Sequence, residues 1–137
     1  MDLQFYRLLF DFGLVVLIWL VQLVIYPSFK YYQAEDLVKW HKHYTLRVSY
    51  VVLPLMLAQL IIVGLQLWGS FTFYTISSFI IVLMLWASTF LFFVPLHNRI
   101  SKGDNDQATT LQLVKKNWLR TILWTLLFVF SIIHTSN

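Results

Sequence analysis

The sequence predicts an all-α integral membrane protein: a single transmembrane domain over residues 1–137, folded as an up-down four-helix bundle, N-out/C-out. Three observations carry this. Thirteen of the sixteen charged side chains lie in two short segments, residues 28–47 and 97–120, and nothing from Val48 to Leu96 or after Arg120 is charged. Helices of a soluble domain need a solvated face, so uncharged stretches of that length are what lipid imposes. Hydrophobic residues make up 59% of the chain and charged residues 12%, against about 25% charged in globular domains. Nine of the ten Lys and Arg residues fall in the two charged segments, the bias that orients membrane proteins.

Crossing a hydrocarbon core of about 30 Å takes about 20 helical residues. The first helix is expected over residues 3–26, ending at Pro27. Arg7 and Asp11 lie one turn apart on it, placed to pair at the outer membrane edge as an anchor. No small-residue cleavage site follows, so this helix is expected to stay rather than be removed as a signal peptide. The second spans residues 44–67 with Pro54 inside, which neighbouring helices tolerate. Trp68-Gly69-Ser70 makes a tight hairpin into the third, residues 71–94, which stops at Pro95. The fourth runs over residues 106–134, its polar start projecting from the bilayer. Short connections make neighbours antiparallel. Both basic segments should face the cytoplasm of a bacterial inner membrane. The halves also repeat weakly: a helix, a proline, a basic segment, then a returning helix opening with Leu46-Arg47 or Leu119-Arg120.

Composition excludes several chemistries. There is no cysteine, hence no disulfide, thiolate zinc site or iron–sulfur cluster. The net charge of +4 flanks apolar runs instead of forming a solvated stripe, so nucleic acid is not an expected partner. The expected partners are membrane lipid, a small lipophilic ligand, and further copies of the chain or a larger membrane complex. Catalytic triads, phosphate loops and paired carboxylates are missing from the sequence. With no acidic residue in the apolar spans of helices two to four, a coupling proton has no carrier, which argues against a transporter.

Two constellations remain. His41 and His43 stand near the start of helix two, and His97 follows Pro95 at the same membrane level. One of the pair with His97 and Glu35 or Asp36 would make a two-His, one-carboxylate metal site. His43 and His97 would instead serve as axial haem ligands. The plainest reading leaves all three as interfacial histidines touching headgroups and water, and the residues name no cofactor. The second constellation is set by one helix. Asn117, Arg120, Thr121, Trp124 and Thr125 fall at i, i+3, i+4, i+7 and i+8, one face of helix four. Turned inward, that face could meet Gln22, Tyr26, Arg47, Gln59 and Thr89, either as interhelical glue or as the wall of a ligand pocket.

The stretch Val94-Pro95-Leu96-His97-Asn98-Arg99-Ile100, followed by Asn117-Trp118-Leu119-Arg120-Thr121, resembles a group of small bacterial four-helix membrane proteins of unknown function. These are related to the anthrone-oxygenase-like family. Their pattern reads V-P-x-N-N-x-L, then N-x-x-R-T at the start of the last helix. The resemblance covers Pro95, Asn98, Asn117, Arg120 and Thr121; His97 stands where the pattern has Asn, and Lys116 where Trp often precedes the second motif. Anthrone oxygenases oxidise aromatic polyketides without a conventional cofactor, so the resemblance implies an oxygenase-like step.

The function these residues point to is a polar pocket at the cytoplasmic leaflet that receives the head of a small lipophilic or lipid-like molecule. Arg47 and Arg120 would bind its anionic or carbonyl end, and Asn98 and Asn117 would orient it. Gln22, Tyr26 and Thr121 would complete the pocket, and His43 or His97 would donate or accept a proton. The rival is a non-enzymatic accessory subunit whose basic segments dock a protein or anionic lipid, and a second rival is a haem or metal protein. Whether turnover follows binding is not written in these residues.

Overall fold

The structure is a computed structural model that describes residues 2–104 and 107–136. Those residues are helical almost throughout, with no strand among them. Four long helices, each long and apolar enough to cross a membrane, follow in order: α1 (Leu3–Tyr31), α2 (Ala34–Gly69), α3 (Phe73–Ser101) and α4 (Gln107–Ser136). Successive helices pack side by side and α4 closes against α1. The result is an antiparallel ring with the two charged connections at one end, here the charged end, and the Gly69 turn at the other.

The helix ends follow from local chemistry. Asp2 caps α1 by accepting from the Gln4 amide. Glu35 and Asp36 occupy the first turn of α2, where carboxylates complement the helix dipole. Thr72 and Thr75 form a reciprocal capping box that starts α3. At its other end the Gly103 amide donates to the Ile100 carbonyl and the Asp104 amide to that of Arg99. This is a Schellman closure, and it needs the positive φ of 93° that Gly103 adopts.

Three of the helices run further than the sequence predicts. Pro27 and Pro95 do not stop α1 and α3. Each follows a wide π-helical turn, Val21–Ile25 before Pro27 and Thr89–Phe93 before Pro95. There the Tyr26 amide reaches the Val21 carbonyl and the Val94 amide that of Thr89. A π-turn accommodates the missing N–H and the bulk of proline by adding one residue to the turn. α2 begins ten residues before the predicted start at 44, because residues 34–43 include good helix formers and an acidic first turn. α4 is helical from Gln107; Asp106, the predicted first residue, lies outside the described residues.

Packing is inverted relative to a water-soluble bundle. Phe12, Leu23, Leu57, Ile61, Leu91 and Ile122 are exposed, whereas Arg7, Asp11, Gln22, His41, Gln59 and Asn117 are buried. Apolar outer surface on every helix suits an apolar surrounding. Between these faces sits a core built on Leu14, Ile18, Met56, Val63, Leu85 and Leu127. It separates two buried polar centres, one towards each end.

Candidate functional site

The centre near the charged end is assembled by all four helices. Leu37, His41 and Tyr44 are buried on one face of α2, spaced at i, i+4 and i+7. His41 is held on both ring nitrogens: Nδ1 lies 2.9 Å from the Ser101 hydroxyl and Nε2 lies 2.8 Å from His97 Nδ1. The other nitrogen of His97, Nε2, lies 3.0 Å from the Tyr26 hydroxyl. Ser101, His41, His97 and Tyr26 thus form one hydrogen-bonded chain joining α3, α2 and α1. Two complementary proton arrangements satisfy it, one directed towards Ser101 and the other towards Tyr26. Phe29 packs edge-on against His41 and Tyr44 and fixes the rings.

Arg120 of α4 stands beside the Tyr26 and Tyr44 hydroxyls. It is only 6% exposed. The ion pairs among the described residues are Arg7–Asp11 and Arg99–Asp104, so Arg120 has no carboxylate partner among them, and its Nε has no hydrogen-bond partner there. What holds the guanidinium is neutral: a hydrogen bond with the Tyr26 side chain and two aromatic faces, the Phe93 ring centre at 4.3 Å and that of Trp124 at 4.9 Å. Cation–π contacts of this kind contribute about 2 kcal/mol when desolvated, while taking an ion out of water costs several kcal/mol after relaxation. The balance leaves a buried positive charge that a bound anion would offset.

That charge faces a cavity of about 330 Å³. Its walls are mostly apolar, with Leu14, Ile18, Val48, Val52, Phe90 and Phe93 among them. The polar groups gather at one end: Tyr26, Tyr44, His97, Asn98, Ser101 and Arg120. Ligand pockets have this makeup, apolar walls with a few convergent polar groups. Both π-turns contribute to the cavity wall, Thr89 and Phe93 from one and Val21 from the other.

Of the residues the sequence singled out, the structure brings Tyr26, His97, Asn98 and Arg120 to the cavity. Gln22 and Asn117 meet each other instead: Asn117 Nδ2 donates to Gln22 Oε1 at 2.9 Å, and Gln22 Nε2 donates to the Val114 carbonyl at 3.3 Å. They brace α1 against α4. Thr121 turns its hydroxyl back to the Asn117 carbonyl, a bond within its own helix. His43 and Arg47 are exposed and do not line the cavity. Glu35 and Asp36 are exposed as well, and no three His, Asp or Glu among the described residues come together to hold a metal. Tyr44 and Ser101 are site residues that sequence reasoning passed over, and His41, which it weighed as a metal ligand or interfacial residue, stands where it had placed His43. Their signal was the i, i+4, i+7 spacing of Leu37, His41 and Tyr44, hidden by placing the start of α2 at residue 44.

The second centre is built on Arg7 and Asp11, which are wholly buried rather than anchored at an edge. Arg7 Nε donates to Asp11 Oδ2 at 2.6 Å, Nη1 to Gln66 Oε1 at 3.0 Å and Nη2 to the Ser78 hydroxyl at 3.3 Å. Asp11 also accepts from Gln59 Nε2 at 2.6 Å and from the Ser131 hydroxyl at 2.9 Å. The pair therefore ties α1 to the three other helices with its charges matched. Trp124 links the two centres, since its Nε1 donates to Gln59 Oε1 while its ring lies under Arg120.

Compared with known proteins, the chain matches no family model, no curated protein and no solved structure.

Proposed function

We propose that this chain is an inner-membrane protein whose cavity binds the polar head of a small lipophilic molecule, with the charged end facing the cytoplasm. One observation carries the reading: Arg120 is buried without a carboxylate partner at the polar end of an otherwise apolar cavity. A guanidinium in that position favours a ligand bearing an anionic or strongly hydrogen-bond-accepting group. Tyr26, Tyr44 and His97 are placed to hydrogen-bond the same head, and Asn98 stands on the cavity lining beside them. Any turnover of the ligand, including the oxygenase-like step implied by the resemblance, would draw on the Tyr26–His97–His41–Ser101 chain for proton movement.

The accessory-subunit reading has its own support in the Arg7–Asp11 centre and the Gln22–Asn117 brace. These groups are hydrogen-bonded to other helices and suit a purely structural role. Arg120 separates the two readings, because it is the buried cation those braces leave without a counter-charge. The test is purification in a mild non-ionic detergent, with native mass spectrometry of the wild type and of Arg120→Gln. The expected result is a co-purifying lipophilic molecule in the wild type and loss of it in the variant at an unchanged thermal midpoint. A variant that loses stability, with no ligand seen in either protein, would overturn the pocket in favour of the structural role.

A further inference from the structure

The exposure of the cavity's lining separates a wall from a mouth. On α1 and α4 the lining residues Leu14, Ile18, Tyr26, Arg120 and Trp124 are buried. On α2 and α3 the lining includes residues open to the surroundings: Leu53 at 45%, Phe90 at 58%, Val94 at 42%, and Asn98. The cavity therefore opens sideways, between α2 and α3, onto the apolar flank of the bundle. These two helices are tied to each other above and below the mouth. At the charged end His41 bonds Ser101 and His97, and at the other end Thr75 bonds the Ser70 carbonyl. Each is irregular at the mouth itself. Pro54 beside Leu53 removes a backbone donor from α2, and Phe90 belongs to the wide turn of α3.

Charge narrows the occupant. Arg120 supplies one positive charge, and the groups around it, the hydrogen-bonded Tyr26 hydroxyl, the Tyr44 hydroxyl and the His97 ring, carry no permanent charge. Arg47, which would have added a second, is exposed on α2. A single negative charge is thus neutralised on binding, whereas a doubly charged phosphomonoester would keep an unmatched charge in a desolvated site, at a cost of several kcal/mol. A carboxylate also accepts the guanidinium in two parallel hydrogen bonds. Volume narrows it further, because about 330 Å³ is at the small end of the roughly 300–1,000 Å³ of ligand pockets. That volume, walled by Ile18, Val48 and Phe90, is in proportion to one chain rather than two.

Resting on the reading that the cavity receives a lipophilic molecule by its head, we propose that the occupant is a single-chain amphiphile ending in one carboxylate. It passes from the surrounding acyl chains through the α2–α3 cleft until its head reaches Arg120. Its source, a free fatty acid or a carboxylate-bearing isoprenoid or aromatic, shares this recognition chemistry.

The test titrates four probes into the purified full chain in a neutral maltoside, at mildly alkaline pH where the carboxylate is ionised. The probes are oleate, oleyl alcohol, oleyl phosphate and dioleoyl phosphatidylglycerol, and bound molecules are counted by native mass spectrometry. One oleate per chain is expected, bound at least about ten-fold more tightly than each of the others, with the margin over the alcohol lost in Arg120→Gln. Retinoate and geranate, run alongside, distinguish the sources by their relative affinity. Oleate and the alcohol binding equally in the wild type overturns the charge argument, and the wild-type series decides this even where Arg120→Gln does not fold. A preference for the phosphate or for the two-chain lipid overturns the single carboxylate but leaves the pocket standing. Binding of no probe at all counts against the pocket itself. Access is tested with Phe90→Trp at the mouth, which should slow oleate uptake several-fold at an unchanged thermal midpoint; an unchanged rate overturns the lateral route.

Discussion

At the scale of single residues, the molecule uses two arginines in opposite ways. Arg7 is buried with Asp11 as a partner and hydrogen bonds from Gln59 and Ser131 that satisfy the carboxylate. Removing one member of such a pair costs about 3–5 kcal/mol, because the other is left charged and unpaired. Asp11→Ala is therefore expected to lower the thermal midpoint sharply in detergent, while the double change Arg7→Met with Asp11→Leu recovers most of the loss. A midpoint unmoved by Asp11→Ala would show that the buried pair does not hold the bundle. The histidines allow a cleaner contrast. His41→Ala breaks the bonds to Ser101 and His97 and should weaken ligand retention several-fold. His43→Ala, exposed one residue beyond Lys42, should leave retention as it is; equal effects of the two substitutions would remove His41 from the site. The charge map of the sequence pointed to one end of the bundle, and the helical register of α4 to Arg120, which the structure places on the cavity lining. It could not choose between His41 and His43, since two residues apart on a helix means opposite faces and the choice depends on where the helix begins.

At the scale of elements, the π-turns decide which side chains meet. Each adds one residue to its turn, so everything beyond it is rotated by about 100° relative to an uninterrupted α-helix. In α3 the turn Thr89–Phe93 precedes His97 by one turn, and the pairing of His97 with both Tyr26 and His41 depends on that extra residue. Leu91 is 68% exposed and makes no polar contact, which makes it the residue to remove. Deleting Leu91 should restore a regular helix, turn His97 out of the chain and abolish ligand retention, with helix content by circular dichroism unchanged. Retention surviving that deletion would show that the π-turn is incidental. The four helices, their order and the Trp68-Gly69-Ser70 turn were legible from hydropathy and the placement of charge. Prolines read as helix ends misled, because in sequence Pro27 and Pro95 look the same whether a chain stops or widens around them. The resemblance of the two halves reached further than the prolines: the turn before each has the same length and the same spacing to it.

At the scale of the whole molecule, the lengths of the helices and the placement of charge fix how it would lie in a bilayer. α2 has 36 residues, about 54 Å at 1.5 Å per residue, so it exceeds a core of about 30 Å by several turns. The excess is the charged part from Glu35 to Arg47, which in a bilayer would stand beyond the hydrocarbon together with Arg99 and Lys102 at the end of α3. The polar end of the cavity then lies at the boundary between acyl chains and headgroups, where an amphiphile's head would sit. At the opposite end, Arg7 and Asp11 cancel within the bundle, and the turn from Trp68 to Thr72 carries no charge. Every Lys and Arg except Arg7 belongs to the charged end, which under the positive-inside bias is the side expected in the cytoplasm. Reporter fusions test this directly. An alkaline phosphatase fused after Asn137 or in the Gly69 turn should be active, and one fused after Gly103 inactive, with a cytoplasmic fluorescent reporter giving the reverse pattern. Activity after Gly103 and none after Asn137 would invert the bundle and move the Arg120 site to the outer leaflet, where it would draw its ligand from different lipid.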